Sequence, residues 1–149
     1  MGDITMGNVE RSKETISYVM SRNKSKNTKP EEIVRKYLFS RGLRYRKNDK
    51  RYPGQPDIVI PRYDTIVFVH GCFWHKHDGC PHFTMPKVRI DFWENKFKRN
   101  KRRDRQNIEK LKSLGWHVIV VWECELKPKL RNERLSTLYY EIVAKSSIY

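Results

Sequence analysis

The sequence has few acidic residues and no long apolar run, and these two deficits narrow what the protein can be. Its 149 residues include 17 Asp and Glu against 32 Lys and Arg, a formal net charge of +15. A field of this sign attracts polyanions, and nucleic acid is the first candidate. An anionic membrane surface is the alternative, but neither an amphipathic basic helix nor a lipid anchor stands out. No apolar stretch is long enough to cross a bilayer, so we expect no membrane partner.

Cysteine is also scarce, and the start of the chain lacks the apolar core of a signal peptide. We therefore expect a cytoplasmic protein. Thiols stay reduced in that compartment, so metal binding or plain burial is expected for the three cysteines rather than a disulfide.

The length predicts one folded domain with an arm before it. Residues 1–27 are polar and basic, with weak helical periodicity over 13–20, and form the predicted arm. Residues 28–149 form the predicted single domain.

The domain is predicted to open with a helix that starts at Thr28 and stops at Gly42. Glu31 follows Thr28 by three residues, which matches a capping box, and Pro30 suits the first turn of a helix. Apolar residues then recur at helical spacing up to Leu38.

Further elements alternate between strands and helices. The predicted strands cover residues 43–47, 57–60, 65–70 and 116–122, and the predicted helices cover 88–114 and 132–144. This order predicts an α/β fold with a central mixed β-sheet flanked by helices.

A Cys/His-rich loop follows the third predicted strand. Cys72, His77 and Cys80 form C-x4-H-x2-C, and the remaining cysteine, Cys124, comes just after the last strand. A structural zinc ion takes four such ligands in a tetrahedron, so the pattern predicts a Cys3His zinc site. His75 and His82 are competing ligands, and buried thiols without metal are the alternative.

A PD dipeptide, Pro56-Asp57, stands at the head of the second predicted strand. In a strongly basic chain it indicates a nuclease in which Asp57 holds Mg²⁺, since magnesium prefers oxygen ligands. The alternative is that Asp57 merely caps a turn.

Many such nucleases carry E-x-K on the next strand, and this chain does not. The second ligand is then expected to be the Val69 backbone carbonyl. His70 and His75 are candidates for activating water or protonating the leaving group. Glu31 is expected to reach the site from the first helix, or else to serve the capping box alone.

Two aromatic residues, Phe73 and Trp74, lie inside the polar Cys/His loop, and Trp93 lies on the long basic helix. Exposed aromatics beside a nucleic-acid site stack on bases or wedge between base pairs. A small aromatic core packed around the zinc is the alternative, and for Trp93 ordinary core packing is as strong an interpretation.

Several longer stretches carry a resemblance to a known family. They are MSRNKSKNTKPE, YPGQPDIVIP, FVHGCFWHKHDGC, the spacing FW-x3-F-x2-N-x3-D from Phe92 to Asp104, and LGWHVIVVWECEL. With these, residues 11–127 resemble the very short patch repair (Vsr) endonucleases. Asp78-Gly79, between two predicted zinc ligands, departs from some members.

The resemblance implies a restriction-endonuclease-like fold with a structural zinc ion. It also implies magnesium-dependent nicking of double-stranded DNA on the 5′ side of the thymine in a T:G mismatch. The implied partners are such DNA and mismatch-repair proteins, with the enzyme acting as a monomer.

The same resemblance implies roles for individual residues. Asp57 matches the essential magnesium ligand and Val69 the carbonyl ligand. His75 matches the general base, His70 a second catalytic histidine, and Glu31 a glutamate near the site. Phe73, Trp74 and Trp93 match aromatics that intercalate beside the mismatch. The zinc ligands would be Cys72, His77, Cys80 and Cys124. Residues 1–27 match an arm that grips DNA from the opposite groove.

Two other functions remain open from sequence. One is a zinc-stabilised DNA-binding module without catalysis, and the other is a restriction-like endonuclease that cuts both strands.

Overall fold

The computed structural model describes residues 28–144, so the predicted arm at 1–27 and its helical part at 13–20 lie outside the described residues. Between residues 28 and 144 the chain forms three α-helices and four strands. In chain order they are α1 (Lys29–Ser40), β1 (Arg46–Lys47), β2 (Ile58–Ile60), β3 (Thr65–His70), α2 (Ile90–Ser113), β4 (His117–Trp122) and α3 (Pro128–Ala144).

Local interactions fix both ends of α1. Thr28 is the N-cap, and its hydroxyl accepts from the Glu31 N–H while the Glu31 carboxylate accepts from the Thr28 backbone, so the predicted capping box is confirmed. At the other end Gly42 takes a φ of +87°. The N–H groups of Gly42 and Leu43 donate to Phe39 and Leu38 carbonyls, which is a Schellman motif.

That motif explains why the first predicted strand was too long. Residues 43–47 were expected to be extended, but Leu43 completes the helix cap and is buried in the core. Only Arg46 and Lys47 pair with β2, which leaves a short and charged edge strand. Such an edge resists pairing with other chains.

The four strands form one sheet in the order β1-β2-β3-β4. β1 and β2 are antiparallel, β2 and β3 are antiparallel, and β3 runs parallel to β4 with Val69 opposite Val121. The parallel pair needs a long crossover, which α2 supplies. The predicted mixed sheet flanked by helices is therefore confirmed.

Successive residues of the central strands face opposite layers, so two cores form. One face of the sheet packs against α1 and α3, and the buried residues there include Val34, Leu38, Val67, Leu138 and Ile142. The other face packs against α2 through Phe68, Leu111 and Ile108. Because both faces of β3 are covered, all six of its residues are buried, which matches its β-branched sequence.

The last helix begins at Pro128, earlier than the predicted residue 132. Pro128 favours the first turn of a helix, and Leu130 is 53% exposed. The amphipathic pattern therefore becomes visible only after the helix has begun. No helix among the described residues is long and apolar enough to cross a membrane.

We expect Leu138→Ala to lower the free energy of unfolding by about 2–5 kcal/mol, because it leaves a cavity under α3. Leu138 is fully buried, whereas Leu130 on the same helix is half exposed. Leu130→Ala is thus a matched control with an expected change within about 0.5 kcal/mol. Urea denaturation measures both, and equal losses would contradict the assigned packing of α3.

Candidate active site

A cleft of about 880 Å³ opens where β3 ends, between the start of α1 and the middle of α2. All five predicted catalytic or magnesium-binding residues line it, together with two acidic residues to which the sequence analysis gave no role. The predicted residues are Glu31, Asp57, Val69, His70 and His75, and the additions are Asp104 and Glu123. Residues far apart in the chain therefore meet in one place.

Asp57 lies just before the start of β2 and is held there by a hydrogen bond from the neighbouring strand, β3. The residue is 9% exposed. Its Oδ2 accepts from the Val69 backbone N–H at 2.6 Å. This contact is not a cap of its own turn, which was the alternative role for Asp57.

The same geometry bears on the Val69 carbonyl. β2 begins opposite Val67, so β3 extends past the end of its neighbour. In an extended strand the N–H and C=O of one residue point to the same side. The Val69 carbonyl therefore faces the side on which Asp57 lies, where β2 has already ended.

Glu31 serves two purposes in this structure. Its Oε2 accepts from the Thr28 hydroxyl at 2.9 Å in the capping box, and its Oε1 accepts from Arg35 at 3.2 Å. Glu31 and Arg35 are both buried, at 2% and 5% exposure. Glu31 is also close to Asp57. Burial raises the pKa of Asp57 to about 7, and the Glu31 charge adds to the rise.

The two predicted catalytic histidines lie together in the same cleft. His70 is the last residue of β3, and its ring stacks on that of His75 with centroids 3.8 Å apart and planes within 3°. Burial, and then the neighbouring His75, lower the pKa of His70 to about 3, so His70 is uncharged at neutral pH.

Asp104, named above only as the last residue of the FW-x3-F-x2-N-x3-D spacing, is a functional candidate to which the sequence analysis gave no role. Its Oδ2 lies 2.5 Å from His75 Nδ1, across 29 positions of sequence. A carboxylate at one ring nitrogen fixes the tautomer and leaves Nε2 to exchange protons. The available signal was the spacing of Asn100 and Asp104, since residues four apart share one face of a helix.

His70, His75 and Asp104 offer donor atoms within 4.8 Å of one another. Stacked rings keep their in-plane nitrogen lone pairs in two parallel planes, which do not meet at one point, and one nitrogen of His75 already contacts Asp104. The group is better arranged for proton transfer than for holding a metal.

The four predicted zinc ligands also come together. Ligand atoms of Cys72, His77, Cys80 and Cys124 all lie within 4.8 Å of one another. His77 Nδ1 is 3.7 Å from the Cys72 sulfur and 3.5 Å from the Cys124 sulfur. Tetrahedral zinc with ordinary bond lengths would place such nitrogen and sulfur atoms about 3.6 Å apart.

The alternatives to a Cys3His zinc site, which are His82 as a ligand and buried thiols without metal, fit the structure less well. Among residues 28–144, His82 belongs to neither donor group, and its backbone N–H donates to the Cys80 sulfur instead. Cys80 and Cys124 are partly exposed, which does not fit plainly buried thiols. Burial raises the pKa of Cys72 to about 12, so a bound cation would be needed to hold it as thiolate.

The aromatic residues of the loop form a cluster with α2. Phe73 contacts Trp74, Phe83, Trp93 and Phe97 through ring centroids 5.1–6.1 Å apart. Trp93 is 5% exposed, so in this conformation it is a core residue. Trp74 lines the cleft and is only partly buried.

Asn100 connects this loop to α2. It is 4% exposed, and its Nδ2 donates to the Trp74 carbonyl at 2.9 Å. Arg103 donates to the Asn100 side chain at 3.1 Å. Lys96 and Arg103 line the cleft, and more cations lie exposed along α2. A polyanion in the cleft would meet positive charge on that wall.

Comparison with known proteins identifies the family to which the chain is similar. A model of the family described as DNA mismatch endonuclease Vsr matches residues 10–82. The chain is 54% identical over 127 residues to the type II nicking enzyme V.NmeAIP of Neisseria meningitidis serogroup A, which covers 85% of this chain and 90% of that protein.

Two further relatives cover similar parts of the chain. It is 49% identical over 109 residues to the type II nicking enzyme V.XorIIP of Xanthomonas oryzae pv. oryzae, covering 73% of this chain and 79% of that protein. It is 41% identical over 114 residues to the DNA mismatch endonuclease Vsr of Escherichia coli, covering 75% and 72%.

The raised pKa of Asp57 predicts a pH-dependent cost of folding in the metal-free protein. From its ordinary value of 3.8 up to about 7, the folded state binds this proton more tightly than the unfolded chain. Stability therefore falls as pH rises through that window. We expect Asp57→Asn to gain stability over the wild type progressively between those pH values, with a constant gain above them.

Urea denaturation at a series of pH values measures this gain. Asp91→Asn, at an exposed position in the first turn of α2, reports the general effect of removing one acidic charge from a basic protein. A gain that does not change with pH would contradict the placement of a buried carboxyl at residue 57.

Proposed function

Because the chain belongs to the Vsr family of DNA mismatch endonucleases, we propose that it nicks one strand of duplex DNA on the 5′ side of the thymine in a T:G mismatch. Membership makes it a DNA endonuclease with a restriction-endonuclease-like fold. The finer activity is supported by one observation above all: Asp57, Val69, His70 and His75 line a single cleft.

The oxygen donors of the cleft suit Mg²⁺. Asp57 would hold the ion together with the Val69 carbonyl, with Glu31 close to that carboxylate. When bound, the ion would polarise the phosphate and offset the negative charge that builds on it. A cation there would also favour the ionised form of Asp57, which burial otherwise disfavours.

His75 is the proposed general base. With Nδ1 engaged by Asp104, Nε2 can take a proton from the attacking water while the water oxygen bonds to phosphorus and the P–O3′ bond breaks. Asp104 also stabilises the imidazolium that forms. His70 is the proposed second catalytic histidine, and its neutral, buried ring lies flat against His75.

DNA binding is assigned to the basic wall of the cleft, which α2 contributes, and to the aromatic cluster. Lys96 and Arg103 face the cleft and would meet phosphates. Phe73, Trp74 and Trp93 are proposed to intercalate beside the mismatch, which requires Trp93 to leave its buried position. We further propose that the enzyme acts as a monomer, since one chain supplies all of the proposed active-site residues to one cleft.

We refer to Cys72, His77, Cys80 and Cys124 as the Cys/His cluster, and the metal at this cluster is proposed to be structural zinc. Three thiols and one imidazole are the ligands that zinc prefers, and the donor distances suit a tetrahedron. Cys72, His77 and Cys80 belong to the loop, whereas Cys124 follows β4. The ion would join that loop to the sheet.

A duplex with one T:G mismatch, labelled differently on each strand, tests the activity in the presence of Mg²⁺. We expect one product, cut 5′ of the mismatched thymine, and no cutting of the matched duplex. Two cut strands would instead support a restriction-like endonuclease, and no cutting would support a binding module. Asp57→Asn should lower the rate by at least about 100-fold, because a catalytic metal supplies several kcal/mol.

Asp57→Asn should still bind the duplex, as measured by fluorescence anisotropy, because the cationic wall is untouched. Asp91→Asn is the control for loss of an acidic charge. Full activity of Asp57→Asn would remove Asp57 from the mechanism.

Cys80→Ala should abolish stoichiometric zinc, because it removes one of four donors. We expect the free energy of unfolding to fall by at least roughly 2 kcal/mol, a small part of the 10–16 kcal/mol that zinc contributes in small zinc-binding peptides. Metal analysis and thermal unfolding measure both effects. His82→Ala, two residues further along, is the matched control and should keep its zinc. Normal zinc and stability in Cys80→Ala would refute the structural role.

A further inference from the structure

Four aromatic rings in contact run from the Cys/His cluster to the cleft. In order they belong to His77, Trp122, His70 and His75, and we refer to them as the ring column. The first ring is a proposed metal ligand and the last is the proposed general base. The column is therefore a direct physical connection between two sites that were described separately above.

The metal end of the column is a parallel stack. The His77 ring lies on the Trp122 indole with centroids 3.9 Å apart and planes within 3°. A metal on His77 Nδ1 would fix the plane of that imidazole, because coordination is directional. The Trp122 indole would then pack against an imidazole ring whose orientation is fixed.

At the cleft end the indole meets the two histidines edge to face. The Trp122 and His70 centroids are 5.2 Å apart at 79°, and the Trp122 and His75 centroids are 6.4 Å apart at 77°. Such T-shaped arrangements are preferred by ring quadrupoles. The indole thus limits how far the stacked imidazoles can tilt.

The backbone of Trp122 is also well fixed. Trp122 is the last residue of β4 and stands opposite His70 in the parallel pair. Its N–H donates to the Glu125 carboxylate at 2.8 Å. His75, in contrast, belongs to the loop between β3 and α2. Its N–H donates to the Gly71 carbonyl at 3.2 Å within that loop, and its ring is oriented by the contacts with His70 and Asp104.

We propose that Trp122 is a positioning residue, whose indole transmits the orientation that the metal imposes on His77 to the His70 and His75 imidazoles. The inference rests on the proposed function for the roles of the two histidines. It gives the Cys/His cluster a second purpose: metal at this cluster supports the geometry of catalysis as well as the fold.

Trp122→Leu removes the ring, and Trp122→Phe keeps an aromatic ring at the same place. Trp116 offers a matched control: it directly precedes β4 and makes a T-shaped contact with Tyr52 at 5.2 Å in the core on the α2 side. Trp116→Leu therefore removes an indole of similar burial at the opposite end of the same strand.

With zinc-loaded proteins and the T:G duplex, we expect Trp122→Leu to lower kcat by about 10- to 100-fold, since small misplacements of catalytic groups cost this much. KM should change little, and Trp122→Phe should recover most of the rate. Trp116→Leu should lose comparable thermal stability but keep kcat. A kcat for Trp122→Leu no lower than that for Trp116→Leu would overturn the proposal.

Side-chain NMR of the histidines supplies a readout that does not require activity. In the zinc-loaded wild type, Trp122→Phe and Trp116→Leu, the His75 ring should give one sharp set of signals. In Trp122→Leu it should give broadened or doubled signals while zinc content stays stoichiometric. A single sharp set in Trp122→Leu would also overturn the proposal. Loss of the proposed function itself would appear differently, as an inactive wild type with unchanged NMR behaviour.

Discussion

The hydrogen bond from the Val69 N–H to the Asp57 carboxylate is the contact on which the candidate site depends. It forms because β3 continues past the start of β2, so a side chain takes the place of the missing strand. A carboxylate in that position is buried, close to Glu31 and reluctant to ionise. A cation bound at this end of the two strands would favour the ionised form of Asp57.

Basic and acidic side chains would contribute differently to function, the basic ones to DNA binding and the acidic ones of the cleft to metal binding. Between residues 28 and 144 most basic side chains are exposed, with a concentration along α2. Four acidic side chains line the cleft, namely Glu31, Asp57, Asp104 and Glu123. The exposed basic side chains would attract DNA from a distance. The acidic side chains of the cleft would repel a phosphate group unless a metal ion were bound there.

The loop between β3 and α2 carries most of the chemistry while having little regular structure. It contains three proposed zinc ligands, the proposed general base and three aromatic residues of the cluster, Phe73, Trp74 and Phe83. Backbone hydrogen bonds within the loop, such as those from the His75 and His77 N–H groups to the Gly71 and Cys72 carbonyls, give it local order. Contacts with Cys124 after β4, with Asn100 and Asp104 on α2, and with the indole of Trp122 join it to the fixed elements. A bound metal would add a further connection between the loop and the sheet.

Features that depend on neighbouring residues in the chain could be predicted from the sequence. The cap and stop of α1, the buried β3 strand, the long basic helix and the loop ligands with C-x4-H-x2-C spacing all follow from interactions within a few residues. Where a local motif extended further than expected, as the Schellman motif did at Leu43, the prediction of a strand over 43–47 was wrong.

Which distant groups meet depends on the three-dimensional fold and could not be predicted from the sequence. In the folded chain Asp104 contacts His75, and Glu31 lies close to Asp57 while it still takes part in the cap of α1. Trp122 lies between the Cys/His cluster and the two stacked histidines. These contacts join segments tens of residues apart. Their geometry depends on how far β3 extends beyond β2 and on how α2 crosses the sheet, and no short stretch of sequence contains that information.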